Sequence, residues 1–489
     1  MPVVVTEVPL NTSDNNLRYD AAWSVTGLTY QYFKSNINPQ LIKGIYEAAE
    51  AAVGSLVPDY RLLRPYPATD NGTGGQNTAG GRNALSSLTG GTNNTAFGFN
   101  SLQSNATGNL NTAIGDATLF ANTSGVQNTA NGYNALASNL TGSNNTATGA
   151  NALSASNSSD NTADGAFALF SNTTGFRNTG LGKEALYTNS TGNSNTAVGY
   201  RCLYGNTASN NTALGSDALT GNNTGDANVA VGCLALSQNG AGFENTAIGF
   251  QALFANTSGI RNTASGINAL FVNTTGSNNT ATGQQSLSSN LTGGFNTANG
   301  ALALQNQTGS NLTGVGYQAL RGAVGSSGTD NIGIGVNSLL SLSTAARCLA
   351  IGNNAGDAIT SGNNNVLIGD DAGGAITTGS GNTALGSDAL GNASGAAKSN
   401  NTCIGVDSGN NITTGSNNTL VGANTDSDTT GRADCIAIGR NTNTPAADGS
   451  LAIGNAMANL VVATAGAATG TFLNVYLNGA QYKIELLNP

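Results

Sequence analysis

Small, apolar and polar residues recur along this chain in a fixed order. The stretch NTAIGFQALFANTSGIRNTASGINALFVNTTG, from Asn245 to Gly276, states one phrase twice, 17 residues apart. The phrase is Asn-Thr-Ala, a variable residue and a glycine, followed by an Ala-Leu pair and Asn-Thr-x-Gly. Aligned on the first glycine, here called the anchor glycine, 23 copies run from Gly81 to Gly454, nearly all 16, 17 or 19 residues apart. A short fixed period is typical of a solenoid, whose units bury their apolar sides by stacking.

The composition of the unit favours strands over helices. It is too short for two helices, and its Gly, Asn and Thr residues oppose helix formation. The small residue two before the anchor glycine and the Ala-Leu pair after it should point inward, because a narrow interior tolerates little change in volume. The Asn four before the glycine should stack its amide on its copies. The glycine itself should adopt a conformation closed to other residues. We predict an all-β parallel β-solenoid of about 23 coils with a 17-residue period.

The residue just before the anchor glycine is apolar in 16 of 23 units. If the neighbouring Ala is inside, strand alternation turns this residue outward. An apolar stripe along a rod requires a partner, and another copy of the chain is the simplest, which predicts a homotrimer about the long axis. The alternative is that the stripe forms the coil's own core and Ala faces out. The predicted interface stripe comprises Ile114, Val198, Val231, Ile248, Ile334, Ile351, Ile368, Ile404, Val421, Ile438 and Ile453.

The motifs NTAIG, NTAVG and CLAIG resemble the head repeats of trimeric autotransporter adhesins, and related repeats occur in bacteriophage fibres. The resemblance covers Asn71 to Asn455. It implies a left-handed parallel β-roll that trimerises side by side. Two departures favour a virion fibre over a bacterial-surface protein: the units are longer than the usual adhesin head repeat, and we find neither a secretion signal nor a C-terminal membrane barrel.

Residues 1–70 differ in composition and are predicted to form an N-terminal attachment or collar domain. Asn38 and Pro39 have the character of a helix cap and first turn, so we expect a helix over about 39–56. Its apolar residues are spaced as in a coiled-coil seam, which fits either a three-helix collar or an amphipathic helix packed on its own domain. The predicted seam comprises Ile42, Ile45, Ala49, Ala52 and Leu56.

The repeat region, 71–455, is predicted to be the shaft, and 456–489 to be a C-terminal β cap. Two alternating segments flank Asn478-Gly479, the pair preferred in two-residue hairpin turns. A hairpin at this end would cover the last coil and prevent fibril-like growth.

Charge and composition exclude several classes of function. The formal net charge is −9, whereas nucleic-acid binding needs clustered Lys and Arg. No apolar run reaches the roughly 18 residues of a membrane span, so we expect no membrane insertion. Without histidine there is no Ser-His-Asp, Cys-His or histidine metal site. A glycan depolymerase would need a carboxylate pair, but Glu184, Asp226 and Glu244 are expected to be single and far apart in coil order. We expect no enzyme.

Acidic residues recur two positions after consecutive anchor glycines, at Asp371, Asp388 and Asp407. Stacked coils would bring them roughly 5 Å apart, so a Ca²⁺ ion is a candidate ligand. The alternative is that they are exposed turn residues that bond to their own backbone. No other cofactor is expected.

Together these features favour a trimeric bacteriophage fibre, from the tail or the head, that acts as a spacer and host-surface adhesion element. It would be made in the host cytoplasm and reside in the virion, with partners in its own copies, in other virion proteins through residues 1–70, and in a host receptor. The alternatives are a cell-surface adhesin or an ice-binding solenoid and, less favoured, a depolymerase tailspike. Ice binding would use an outward Thr column: Thr95, Thr112, Thr129, Thr146, Thr246 and Thr263.

Overall fold

The computed structural model describes residues 66–67, 75–391, 398–427, 431–444, 448–449, 451–454, 472–477 and 480–485. The chain divides into two units, Met1–Leu63 and Arg64–Pro489, and every described residue belongs to the second. The predicted helix over 39–56 and its seam at Ile42, Ile45, Ala49, Ala52 and Leu56 therefore lie outside the described residues. The described part of the chain contains no helix.

The repeat region is a parallel β-solenoid in which each coil contributes one short strand to a single sheet. The first strands are β1 (Tyr66–Pro67), β2 (Thr78–Gly80), β3 (Thr95–Phe97), β4 (Thr112–Ile114), β5 (Thr129–Asn131), β6 (Thr146–Thr148), β7 (Thr162–Asp164), β8 (Thr179–Leu181), β9 (Thr196–Val198), β10 (Thr212–Leu214), β11 (Val229–Val231), β12 (Thr246–Ile248), β13 (Thr263–Ser265) and β14 (Thr280–Thr282). They are followed by β15 (Thr297–Asn299), β16 (Thr313–Val315), β17 (Ile332–Ile334), β18 (Leu349–Ile351), β19 (Val366–Ile368), β20 (Thr383–Leu385), β21 (Thr402–Ile404), β22 (Thr419–Val421), β23 (Asp426–Ser427), β24 (Ile436–Ile438), β25 (Asn443–Thr444), β26 (Leu451–Ile453), β27 (Phe472–Leu477) and β28 (Ala480–Glu485).

Each repeat stacks on the same positions of the next. Strand β4 pairs with β5 so that Ala113 lies beside Ala130, and this parallel pairing continues from β2 through β22 to β24 and β26. Strand β1 adds an antiparallel edge to β2, and β23 pairs in parallel with β25. Because every coil repeats the register of its neighbour, each sequence position becomes a column along the rod.

The interior is formed by the positions predicted to face inward. Ala113 in the strand and Leu119, four residues after Gly115, are both fully buried, as are their equivalents along most of the rod. The Asn column is also buried: Asn111 donates from Nδ2 to Oδ1 of Asn94 at 3.2 Å. The all-β parallel solenoid and its amide ladder are thus confirmed.

Tight turns are produced by left-handed backbone conformations in each coil. In the coil of Gly115, φ is +133° at the glycine and +53°, +49° and +58° at Ala117, Leu119 and Gln127. A bulky residue such as leucine rarely adopts this region, at a cost of roughly 1–2 kcal/mol. Burial of the leucine side chain in the core offsets that cost.

The core changes composition toward the C-terminal end of the rod. Glycine replaces the core leucine at Gly356, Gly373 and Gly409, again with positive φ. A Cβ on Gly356 would lie 2.6 Å from Leu367 Cδ1 and 3.1 Å from Ile359 Cδ1. Larger side chains at two other inward positions therefore fill the space that leucine occupies elsewhere, so the interior volume is conserved.

The segment after the repeats contains the predicted hairpin. Strands β27 and β28 pair antiparallel from Phe472–Glu485 to Leu477–Ala480, on either side of Asn478-Gly479. This register leaves a two-residue connection, as the Asn-Gly pair predicts.

Candidate functional site: the outward strand face

The most extensive candidate site is the outward side of the sheet from β3 to β22, β24 and β26, here called the strand face. It contains the residue just before each anchor glycine and the residue three before it. Ile114, Ile248 and Ile453 are 44%, 45% and 47% exposed, whereas Ala113 and Ala247, between the two outward positions of their strands, are fully buried. The alternative in which these apolar residues form the coil's own core is therefore wrong.

Every residue of the predicted stripe lies on this face, but exposure varies along it. Ile114, Ile248, Ile334, Ile404, Ile438 and Ile453 are exposed. Val198, Val231, Ile351, Ile368 and Val421 are half-buried. The parallel register places these side chains in one column along the rod.

Polar residues interrupt the apolar column in two blocks of three consecutive coils. The first polar block is Asn131, Thr148 and Asp164 on β5–β7, and the second is Ser265, Thr282 and Asn299 on β13–β15. The column is apolar on β3–β4, β8–β12, β16–β22, β24 and β26. The order of apolar and polar coils along the strand face therefore differs when it is followed from one end of the rod or from the other.

A second outward column, here called the second apolar column, follows the anchor glycines by one residue and contains large apolar residues among polar and charged ones such as Asp116 and Arg440. Its exposed apolar members are Phe99, Tyr133, Tyr200, Phe250, Ile267, Tyr317, Val336 and Val406. Cations one coil earlier lie over two of the rings: Arg82 Cζ is 5.7 Å from the Phe99 centroid, and Lys183 Nζ is 6.0 Å from that of Tyr200. In the sequence, this column is indicated by the recurrence of large apolar residues directly after the anchor glycine.

The threonine column lies on the strand face, where strand alternation places it. Thr129, Thr146 and Thr263 are exposed, and Thr95, Thr112 and Thr246 are half-buried. The face therefore offers hydroxyl groups beside the apolar column, as the ice-binding alternative requires.

A separate ladder of aromatic rings lies five residues after successive anchor glycines. Phe170, Tyr187 and Tyr204 stack with centroids 5.2 Å and 5.0 Å apart, and Phe254 stacks on Phe271 at 5.4 Å. Arg201 Cζ lies 4.8 Å from the Tyr204 centroid. These rings present much of their faces to one another, so the ladder stabilises coil stacking.

The acidic ladder does not converge on a metal site. Asp371, Asp388 and Asp407 are half-buried and adopt φ values of +50°, +53° and +55°, a region that Asp and Asn tolerate well. Asp388 accepts a hydrogen bond from Ser387 Oγ at 3.0 Å, and Asp407 accepts one from Asn410 Nδ2 at 3.3 Å. Among the residues described, no three Asp, Glu, Cys or His side chains are grouped as metal ligands. Turn geometry accounts for the recurrence of Asp.

The carboxylates considered for glycan cleavage require a correction. Asp226 and Glu244 are not far apart in coil order, because the Glu244 amide donates to the Asp226 carbonyl of the preceding coil at 3.1 Å. Both side chains make structural contacts: Asp226 accepts the Ser209 amide at 2.7 Å, and Glu244 pairs with Arg261 at 2.7 Å. Glu184 lies on a different coil and pairs with Lys183 at 3.4 Å.

The five cysteines are free thiols, and Cys233 differs from the others because it is exposed. It follows the anchor glycine Gly232, two residues after the end of β11, and lies in the second apolar column. Cys202, Cys348, Cys403 and Cys435 are buried, and burial raises the pKa of Cys202 and of Cys403 to about 12. In the single chain Cys233 is thus the accessible thiol, beside the strand face.

One lysine is fully buried in the coil interior. Lys398 is 0% exposed and donates from Nζ to the Leu390 carbonyl at 3.1 Å. It lies three residues before Asn401, where most coils have glycine or another small residue. Burial lowers the pKa of Lys398 to about 8, opposed by the nearby Cys403 and Asp426.

No helix in the described ranges is long and apolar enough to cross a bilayer. No protein-family model, curated protein or solved structure matches the chain.

Proposed function

We propose that the chain is the subunit of a homotrimeric bacteriophage fibre that acts as a stiff spacer and host-adhesion element. The observation that carries the proposal is the apolar column of the strand face, where residues such as Ile114, Ile248 and Ile453 are nearly half exposed in the single chain. The longest uninterrupted apolar run covers nine consecutive coils, on β16–β22, β24 and β26. Monomeric soluble proteins rarely leave an apolar run of this length in water.

The size of the strand face supports a stable interface. At a coil spacing of roughly 4.8 Å the rod is on the order of 105 Å long, and a three-residue strand is roughly 10 Å wide. The face therefore has an area on the order of 1,000 Å² per chain, or about 3,000 Å² for three chains together, which is in the range of roughly 2,000–5,000 Å² of obligate assemblies. A second copy of this chain presents the same length and the same chemistry, which makes it the fitting occupant.

A trimer with closed threefold symmetry about an axis parallel to the rods can cover the strand face of every copy. Three parallel rods can direct their apolar columns at a common axis, with the second apolar column and the threonines at the flanks. In such an assembly every apolar column is covered, so no exposed apolar column remains to recruit further copies and the fibre stays a discrete trimer. In this proposal the coil is a left-handed roll, and residues 1–70 join it to other virion proteins.

The spacer role is supported by the absence of a convergent chemical site among the residues described. The carboxylates of Glu184, Asp226 and Glu244 are engaged in ion pairs or backbone contacts. The function proposed is mechanical, without an enzymatic step. Host contact would come from the shaft surface or from one end, and the site of action is the virion.

The test compares two matched pairs of substitutions in the full chain. Leu214 and Leu291 are each 48% exposed, and Ile248 and Leu140 are 45% and 46% exposed. Leu214 and Ile248 lie on the strand face, whereas Leu291 and Leu140 lie in turns outside it. We expect Leu214→Asp with Ile248→Asp to shift the mass measured by light scattering from trimer toward monomer. We expect Leu291→Asp with Leu140→Asp to leave the trimer intact.

The native thiol provides an independent measurement. If the strand face is covered, Cys233 in the assembled protein should react slowly with a maleimide, and the Leu214→Asp, Ile248→Asp variant should react faster. A monomeric wild-type chain with a freely reactive Cys233 would overturn the proposed fibre. That result would favour the ice-binding alternative, which then predicts thermal hysteresis in freezing assays and its loss on Thr129→Leu.

Electron microscopy addresses the biological part of the proposal. Antibody raised against the chain should decorate fibres on the phage particle that contains it. Decoration of a bacterial surface in the absence of virions would instead favour a cell-surface adhesin.

A further inference from the structure

A row of charged side chains lies along the rod at the position five residues before each anchor glycine, beyond the buried asparagine column and outside the strand face. This row, here called the charged edge, holds three pairs in which an acidic residue is followed one coil later by an arginine. The pairs are Asp160 with Arg177, Glu244 with Arg261, and Asp330 with Arg347. All six side chains are exposed. We infer that the charged edge binds a second copy of the chain, with the two rods side by side and antiparallel.

Turn geometry accounts for many residues of this column but not for the arginines. Asn, Asp or Gly occupies the position in most coils, and these residues tolerate the left-handed backbone region. Arg177, Arg261 and Arg347 adopt φ values of +56°, +55° and +58°, in the same region. Arginine has no preference for this conformation, so its recurrence indicates a role for the charge.

The charges remain accessible in the single chain. Arg261 Nε lies 2.7 Å from Glu244 Oε2, yet the two side chains are still 56% and 51% exposed. The Asp160 carboxylate accepts a hydrogen bond from Asn144 Nδ2 of the preceding coil at 3.1 Å, whereas Arg177 lies in the following coil. These contacts leave room for a partner to approach the carboxylates and the guanidinium groups from outside the rod.

The three pairs are evenly spaced along the rod. With the coil of Gly81 counted as coil 1, the acidic residues lie in coils 6, 11 and 16 and the arginines in coils 7, 12 and 17. At a coil spacing of roughly 4.8 Å, successive pairs are roughly 24 Å apart and the whole set spans roughly 53 Å. A partner must present complementary charges at the same interval, and the charged edge of a second copy does so.

One antiparallel alignment places every one of these charges opposite a charge of the other sign. It is centred on the middle pair, so that coil 6 of one rod lies beside coil 17 of the other, coil 7 beside coil 16, and coil 11 beside coil 12. The opposed residues are Asp160 with Arg347, Arg177 with Asp330, and Glu244 with Arg261. Phe243, which is 37% exposed, then meets Ile260 of the other copy next to the central charges. Because coils 11 and 12 lie at the middle of the rod, the two copies overlap along nearly their full length.

Shifted antiparallel alignments lose this complementarity. A shift of one coil in one direction places the arginines of coils 7, 12 and 17 opposite arginines, and a shift in the other direction places the acidic residues of coils 6, 11 and 16 opposite acidic residues. Like charges in these positions repel. A shift of five coils keeps four of the six opposite contacts and shortens the overlap, and in one direction it also brings Asp160 against Asp434.

Parallel alignments are also less favourable. With the ends level, each charge faces its own copy, and a shift of one coil produces only three opposite contacts. The inference does not require the trimer, because each rod keeps its charged edge outside the strand face. Under the proposed function, fibres fixed by the same end to one particle are parallel and level, so their charged edges repel, whereas free fibres can pair.

The pairing should be weak and sensitive to salt. Exposed ion pairs each contribute little, and dissolved ions screen them. We expect the rods to pair at about 20 mM salt and to separate at about 500 mM, where the Debye length is only a few ångströms. The mass of the full chain, measured by analytical ultracentrifugation at both salt concentrations, reports this change. In paired rods, a gold label at the N-terminus should appear at both ends.

Exchange of charges between copies tests the alignment to a single coil. Arg347→Glu should weaken the pairing by about tenfold, because it creates two symmetric contacts between carboxylates. Asp160→Arg in the same chain should restore the pairing. Rescue by Glu244→Arg would instead indicate the five-coil shift, and rescue by Asp330→Arg the parallel one-coil shift. Stronger pairing of Arg347→Glu alone would indicate the antiparallel one-coil shift, in which this position meets Arg177.

A matched control adds the same amount of negative charge to the same column. Asn400→Glu with Asn417→Glu lies in coils 20 and 21, which face the uncharged Leu110 and Asn93 of the other copy. This variant should pair as the wild type does. Thermal unfolding of all variants at high salt should be alike, because every substituted side chain is exposed.

The outcomes distinguish this inference from the proposed function. A trimeric mass that is the same at both salt concentrations overturns the inference alone. So does unchanged or stronger pairing of Arg347→Glu, or its rescue by any substitution other than Asp160→Arg. A monomeric mass at high salt that doubles at low salt overturns the proposed fibre and supports the antiparallel pair.

Discussion

The side-chain amide of Asn128 donates to the side-chain oxygen of Asn111 in the preceding coil, with Nδ2 and Oδ1 3.1 Å apart. Both residues are fully buried. The same amide nitrogen donates to the Gly142 carbonyl at 2.9 Å, and Asn128 Oδ1 accepts the backbone and side-chain N–H groups of Asn145 at 3.0 and 3.1 Å. One side chain thus satisfies polar groups in three successive coils.

Replacing this amide should destabilise the rod locally. We expect Asn128→Leu to cost about 2 kcal/mol, because it leaves the buried backbone N–H of Asn145 without its acceptor, at roughly 1–3 kcal/mol, whereas the Gly142 carbonyl keeps the Asn139 amide at 2.9 Å. Amide hydrogen exchange in the neighbouring coils, together with thermal unfolding, measures the effect.

The chain contains a reciprocal control. Leu312 already occupies the ladder position, and its amide donates to Asn296 Oδ1 at 2.9 Å. Leu312→Asn should restore an acceptor for the following coil and be neutral or stabilising. Equal losses of stability in Asn128→Leu and Leu312→Asn would contradict the role assigned to the ladder.

The anchor glycines should not tolerate a side chain. At Gly132 φ is +138°, and an added Cβ would lie 2.6 Å from the Gly149 carbonyl oxygen. The steric clash is with backbone of the next coil, which cannot move without breaking the register. We expect Gly132→Ala to destabilise the rod by at least about 2 kcal/mol, measured by urea unfolding.

Gly90 is the matched control, because a Cβ there would meet nothing within 4 Å. Gly90→Ala should change stability by less than about 0.5 kcal/mol. If Gly132→Ala and Gly90→Ala unfold at the same urea concentration, the close approach of backbone between coils does not restrict the residue at the anchor position.

Lys398 should make stability depend on alkaline pH. Its pKa falls from the ordinary 10.5 to about 8 in the folded state because of burial. Below pH 8 both states bind the proton and the full cost of burying the charge is present. Between pH 8 and 10.5 the unfolded state binds more protons than the folded state, so this contribution makes stability rise with pH.

Lys398→Met isolates that contribution. Burial raises the pKa of Cys202 and Cys403 to about 12, so their unfolded forms ionise first and stability falls from about pH 9 upward. Both variants share the fall that comes from Cys202, and the difference between them removes it. The part that comes from Cys403 does not cancel fully, because the Lys398 charge lowers the pKa of Cys403. We expect Met to be more stable at pH 7 by up to about 3 kcal/mol. The difference should narrow toward pH 10.5, and a pH-independent difference would contradict the assignment.

Local rules explain why part of the fold could be predicted from single positions. In a narrow coil a small residue such as Ala113 fits inside the strand, the next residue, Ile114, must point outward, and the positive φ at position 115 requires glycine. The structure has all three features. The left-handed Leu119 was missed because leucine alone disfavours it, and only burial makes it acceptable.

A second amide column was missed for a similar reason. Asn122 donates to Asn105 Oδ1 at 2.8 Å and to the Gly125 carbonyl at 3.1 Å, seven residues after the anchor glycine. In the sequence this asparagine belongs to an Asn-Thr-x-Gly motif that is typical of an exposed turn. The adjacency of Asp226 and Glu244 was misjudged because a one-residue shift within the unit conceals their neighbouring coils.

The sequence by itself determined the period, the inward alanines and the outward apolar column, because a repeat of fixed length can stack its copies only position upon position. The tertiary structure decided which asparagines are buried, where leucine adopts a left-handed turn, and how Gly356 makes room for Leu367. These depend on side chains from adjacent coils filling one shared volume, and a linear pattern does not specify that volume.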